Sequence, residues 1–133
     1  MKQLNIVLHD NKETAAMTYF LTITLLVCSN VFMTLAWYGH LRYMNYPIWL
    51  AVMASWGVAF FEYCLQVPAN RIGYHMLSAY QLKTLQEVIT LIVFIVFADL
   101  YLGEGLKPKH LAGFLLLGVA AWVVFQDRYG LKW

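Results

Sequence analysis

Apolar residues in this chain come in four long runs, at about 17–38, 48–67, 79–102 and 111–125, separated by short polar stretches. About 20 predominantly apolar residues make a helix long enough to cross a bilayer. The pattern therefore predicts an all-α fold, a polytopic membrane protein built as a four-transmembrane-helix bundle. Residues 1–16 read as a polar N-terminal tail, and 17–133 as a single four-helix transmembrane domain. The apolar stretch at 4–8 reads as part of that tail or as a short segment on the membrane surface. The first long run is too extended for a cleavable signal peptide and no small-residue cleavage site closes it, so it reads as a signal anchor.

Polar residues inside the runs recur at helical spacing. In the first, Ile23, Val27, Asn30, Thr34 and Trp37 share one face, which is expected to look inward. Asn30 and Thr34 on that face serve either as interhelical hydrogen-bonding groups or as the lining of a cavity. In the second, Ser55, Ala59, Glu62 and Gln66 form one stripe, and Glu62 is its dominant feature. A carboxylate there costs a few kcal/mol on insertion scales, so such residues face protein or water. Pro68 is expected to stop this helix after Val67, which puts Glu62 roughly 7–8 Å inside its end. Asn70, Arg71 and Gly73 then supply the turn, with Arg71 placed to pair with Glu62 or to hold a phosphate headgroup.

Ser78 and Gln81 form a capping box that starts the third helix, flanked by Leu77 and Leu82 as a hydrophobic staple. Lys83 and Glu87 lie four apart and either pair along a solvated face or leave Glu87 to meet Glu62 in a shared polar interior. Asp99, near the far end, is expected to reach the interface. The fourth run carries Gly113, Gly118, Ala120 and Ala121, a small-residue helix suited to close packing within the bundle or to dimerisation. Trp37, Tyr38, Tyr43, Tyr46 and Trp49 crowd the first connection, as an interface belt does. Pro47 suits the first turn of the second helix.

Composition agrees with the pattern: 62% of residues are hydrophobic, 12% are charged and the mean hydropathy is +0.61, far from a soluble domain. A net charge of +2 with no basic run leaves no nucleic-acid reading. Cys28 and Cys64 sit in apolar runs as packing groups. His9, His40, His75 and His110 are scattered, which predicts neither a metal site nor any cofactor. An enzyme would need a converging nucleophile and base, and none is apparent, so catalysis is not expected.

Lys and Arg counted by side give six residues (Lys2, Lys12, Arg71, Lys83, Arg128, Lys132) against three (Arg42, Lys107, Lys109). The positive-inside rule turns this bias into cytoplasmic termini, with insertion in both orientations as the rival outcome.

Two sets of residues also carry a resemblance. The stretch Tyr101-Leu-Gly-Glu-Gly-Leu-Lys-Pro-Lys-His-Leu-Ala-Gly resembles the closing helix–loop–helix of the drug/metabolite transporter superfamily. Residues 27–125, with Cys28-Ser-Asn-Val-Phe-Met-Thr, Ala36-Trp-Tyr-Gly-His, Glu62-Tyr-Cys-Leu-Gln-Val-Pro-Ala-Asn-Arg-Ile-Gly-Tyr and Gln81-Leu-Lys-Thr-Leu-Gln-Glu-Val-Ile-Thr, look like an uncharacterised bacterial four-helix branch of it, related to small multidrug resistance proteins. The resemblance implies a secondary transporter or exporter of a small metabolite or organic cation in the bacterial cytoplasmic (inner) membrane. Small multidrug resistance exporters carry their binding carboxylate in the first helix. This chain has none there, and Glu62 is the nearest chemical substitute. Asn30, Gln66, Glu87 and Arg71 complete the expected substrate-binding or coupling set. Four helices enclose a solute poorly, so a homodimer is expected. The alternative is a non-catalytic membrane protein that organises a partner protein or lipid.

Overall fold

The computed structural model describes the backbone of residues 2–126 and side chains from residue 10 onward. Helix α1 spans Lys2–Tyr38 and runs into a short 3-10 helix, Gly39–Tyr43. Helices α2 (Ile48–Gly73), α3 (Ala79–Phe97) and α4 (Pro108–Phe125) follow, with a π-helical turn, Ala98–Leu102, closing α3. There is no strand among the described residues. Among the described residues four helical segments are long and apolar enough to cross a membrane, as the hydropathy pattern predicts.

The expected N-terminal tail is helical from Lys2 and continuous with α1. The surface reading of 4–8 concerns side chains outside the described residues, as do Arg128 and Lys132 of the charge count.

Helix α1 is the centre of the packing. Helix α2 lies along it over a long stretch, α3 joins it over a shorter one, and α4 rests on α3. The face of α1 that is buried carries Thr22, Leu26, Ser29, Asn30, Thr34 and Ala36. The expected inward face is corrected in part: Asn30 and Thr34 are buried, but Ile23, Val27 and Trp37 point outward. Between membrane helices lipid is as apolar as leucine, so small and polar side chains decide which face meets protein, and bulky ones gain nothing by turning in.

Several other hydroxyls are satisfied within α1 itself. Thr18, Thr22 and Thr24 each donate to the carbonyl four residues back at 2.8–2.9 Å.

Helix α2 does not stop at Pro68. It continues for a further turn and more to Gly73, with Ala69 fully buried beyond the proline. Proline has no N–H to offer the carbonyl of Cys64, but membrane helices tolerate that loss where neighbouring helices hold the backbone in place. Asn70 and Arg71 thus belong to the last turn, where a cation suits the helix dipole. Backbone N–H groups of Tyr74, Met76 and Leu77 close the end on Asn70 and Gly73 carbonyls at 2.9–3.0 Å.

The capping box of α3 is formed: Gln81 N–H donates to Ser78 Oγ at 3.2 Å and Ser78 N–H to Gln81 Oε1 at 3.0 Å. At the other end Gly103 takes a left-handed conformation (φ 72°) and Glu104 N–H bonds the Ala98 carbonyl at 2.9 Å. Helix α4 begins at Pro108, slightly ahead of the predicted start, because proline suits a first helical turn.

Gly73 is where three helices come together. A Cβ there would stand 2.6 Å from Leu82 Cδ2 of α3 and 2.7 Å from Thr22 Cγ2 of α1. Overpacking of this kind costs about 1–3 kcal/mol. Gly73→Ala is therefore expected to lower the unfolding midpoint in detergent, while Gly57→Ala, with nothing within 4 Å of its added methyl, should leave it unchanged or raised.

Candidate functional site

The extension of α2 relocates its carboxylate. With the helix running from Ile48 to Gly73, Glu62 lies about 21 Å from the start and about 16 Å from the end at 1.5 Å per residue. It stands near the middle of the span, farther from its end than a helix stopping at Val67 implies. Such a position is reserved for groups that face protein or a polar cavity.

An open-sided cavity of about 790 Å³ meets Glu62 there. It runs from the first connection down between the last turns of α1 and the first half of α2. The stripe Ser55, Ala59 and Glu62 forms one wall, as its spacing predicts, and Ala36 and His40 contribute from the α1 side. Glu62 is the only carboxylate among the described residues of the lining. Trp37, Tyr43, Tyr46, Trp56 and Tyr63 supply aromatic surface.

Below this cavity the helices are joined by a polar seam. Ser29 Oγ of α1 donates to Gln66 Oε1 of α2 at 2.7 Å and lies 3.4 Å from the Glu62 carbonyl. Gln66 Nε2 in turn reaches Asn70 Oδ1 at 3.4 Å. Asn30, fully buried, donates through Nδ2 to the Leu26 carbonyl at 2.7 Å and accepts from the Thr90 hydroxyl of α3. Ser29 thus ties α1 to the turn of α2 that bears Glu62, while Asn30 ties α1 to α3.

The expected set is therefore divided. Glu62 lines the cavity, and Gln66 lies one turn along on the same stripe, joined to it through Ser29. Asn30 is held in the seam by partners on α1 and α3. Arg71 is exposed in the last turn of α2, on the far side of Gln66 from the cavity. Glu87 sits on an exposed face of α3, its carboxylate 2.5 Å from Lys83 Nζ, the solvated pair that the spacing allows. Thr34 follows neither reading made of it. It is buried, its Oγ1 has no hydrogen-bond partner among the described residues, and it does not line the cavity.

Ser29 was not singled out from the sequence. Its signal is its place beside Asn30, seven residues after Thr22 on the same face. The cavity's aromatics read as an interface belt because a belt and a cavity mouth draw on the same residues at the same depth.

The family model described as "Putative member of DMT superfamily (DUF486)" matches residues 22–125. The chain belongs to this family. No curated protein and no solved structure matches.

Interhelical hydrogen bonds in membranes contribute about 0.6 kcal/mol on average and up to about 1.7. A double-mutant cycle with Ser29→Ala and Gln66→Leu is expected to give a coupling in the upper part of that range, read from unfolding in detergent.

Proposed function

We propose that this member of the drug/metabolite transporter superfamily is a secondary transporter or exporter of a small metabolite or organic cation, with Glu62 as its substrate or coupling carboxylate. One observation carries the reading: Glu62, the one carboxylate among the described residues of the lining, stands well inside the span and faces a cavity large enough for a small solute and otherwise walled largely by aromatic and aliphatic side chains. Aromatic faces attract cations through their quadrupoles, and a carboxylate at the cavity floor supplies the countercharge. Asn30 and Gln66 support the site from the seam, holding α1, α2 and α3 in register. Arg71 acts at the end of α2, and Glu87 is paired with Lys83 on the outer face of α3.

The cavity is open on one side, and a second copy would close it. Gly113 and Gly118 of α4 each have nothing within 4 Å among the described residues beyond the helix itself, so α4 offers small residues where another helix could approach closely. We therefore take the working unit as a homodimer in the bacterial cytoplasmic membrane, with cytoplasmic termini. A non-catalytic role in organising a partner or lipid draws support from Asn30 and Gln66, whose amides are engaged within the chain.

Reconstituted into sealed vesicles, the protein is expected to move a small aromatic or quaternary ammonium cation, and Glu62→Gln to reduce that flux by about tenfold or more. Glu87→Gln should retain it. Flux in Glu62→Gln equal to that of the parent would refute the assignment, and no flux of either cation by the parent would favour the organising role. Single cysteines at the Lys2 and Lys107 positions, in a background lacking Cys28 and Cys64, should label mainly from the cytoplasm and from outside respectively. Equal labelling of both from both sides would instead establish dual insertion.

A further inference from the structure

A second cavity, of about 450 Å³, lies where the end of α1 meets the turn between α3 and α4. Leu41 and Arg42 form one side, and Leu100, Tyr101, Gly103 and Glu104 the other. Its depth is set by its walls. Tyr43 and Leu102 are the last residues of two membrane spans, so the cavity opens at headgroup level. Its two charges are of opposite sign, and neither makes an ion pair with a described residue.

Arg42 is held in place without spending its hydrogen bonds. Its guanidinium lies 5.1 Å from the centre of the Tyr101 ring. That ring is fixed in turn: it stacks on Phe97 at 4.8 Å, and its hydroxyl donates to the Gly39 carbonyl at 3.2 Å. The N–H fork of Arg42 is left for an acceptor, and bidentate recognition of phosphate is what this fork does best. Glu104 is anchored through its backbone by the bond to Ala98, beside the left-handed Gly103. Its carboxylate is left as an acceptor for a cation.

We infer that this cavity binds a phosphoethanolamine group, phosphate on Arg42 and primary ammonium on Glu104. The pairing also selects among cations. A primary ammonium offers Glu104 three N–H donors, whereas a trimethylammonium offers none and would need an aromatic face, and the Tyr101 face is already taken by Arg42. A phosphoglycerol headgroup gives Arg42 its phosphate but leaves Glu104 without a cation. Of its lining residues, Leu41 also borders the cavity at Glu62, while Arg42 and Glu104 do not.

Nanodiscs holding the full chain in equal phosphatidylethanolamine, phosphatidylcholine and phosphatidylglycerol, released into native mass spectrometry, test the assignment. Phosphatidylethanolamine is expected to be retained about tenfold over phosphatidylcholine, the factor that one charge-assisted hydrogen bond is worth. Glu104→Gln should abolish that preference, and Arg42→Gln should reduce retention of all three lipids. Both side chains are exposed, and an unchanged unfolding midpoint in each variant shows that the fold is kept. Added O-phosphoethanolamine distinguishes the source of the group: displacement of the lipid means that the soluble head alone suffices, and no displacement means that the acyl chains are required. Equal retention of phosphatidylethanolamine and phosphatidylcholine by the parent, or a preference that survives both substitutions, would overturn the inference.

Discussion

In a bilayer, packing α1 against its neighbours cannot draw on removal of apolar surface from water, because the lipid that surrounds the separated helices is itself apolar. The contacts that distinguish one arrangement from another are then close approach of small groups and hydrogen bonds between helices. This chain places both kinds on α1: Ser29 reaches Gln66 of α2, Asn30 accepts from Thr90 of α3, and Thr22 meets Gly73 where the three helices converge. Everything else hangs from that face. Helix α2 presents Glu62 to a cavity because its next turn is fixed by Ser29, and α4, attached through α3, is left with most of its surface outward.

Features that depend on neighbours in sequence were legible without the fold. The capping box at Ser78 and Gln81 and the Lys83–Glu87 pair are each decided within four residues. The stripe Ser55–Ala59–Glu62 was legible too, since on so apolar a helix its polar end defines a face. Other features turn on partners that spacing cannot identify. Pro68 signals a stop, yet Ala69 and Gly73 find neighbours on α1 and α3 that carry the helix onward. The inward face of α1 was misread by giving weight to Ile23, Val27 and Trp37, the residues that lipid accepts as readily as protein does.

Among the candidate residues, Asn30 and Gln66 were recognisable as polar groups that needed an explanation, but whether such an amide lines a cavity or joins helices is decided by what stands opposite. Here Thr90 and Ser29 stand opposite. The aromatics show the converse. Trp37, Tyr43 and Tyr46 satisfy the demands of an interface belt and also wall the cavity, so one set of residues meets two constraints at once.

The proline within α2 divides that helix into unequal mechanical parts. Beyond it, Ala69 and Gly73 are clamped; before it, the half from Ile48 to Glu62 has the cavity along one side and little protein behind it. Between the two the helix lacks one rung of its backbone ladder, at the Cys64 carbonyl, two residues past the carboxylate. Bending stiffness is lowest at that missing rung. The wall that carries Glu62 is consequently joined to the clamped end of α2 through the turn with the fewest backbone bonds.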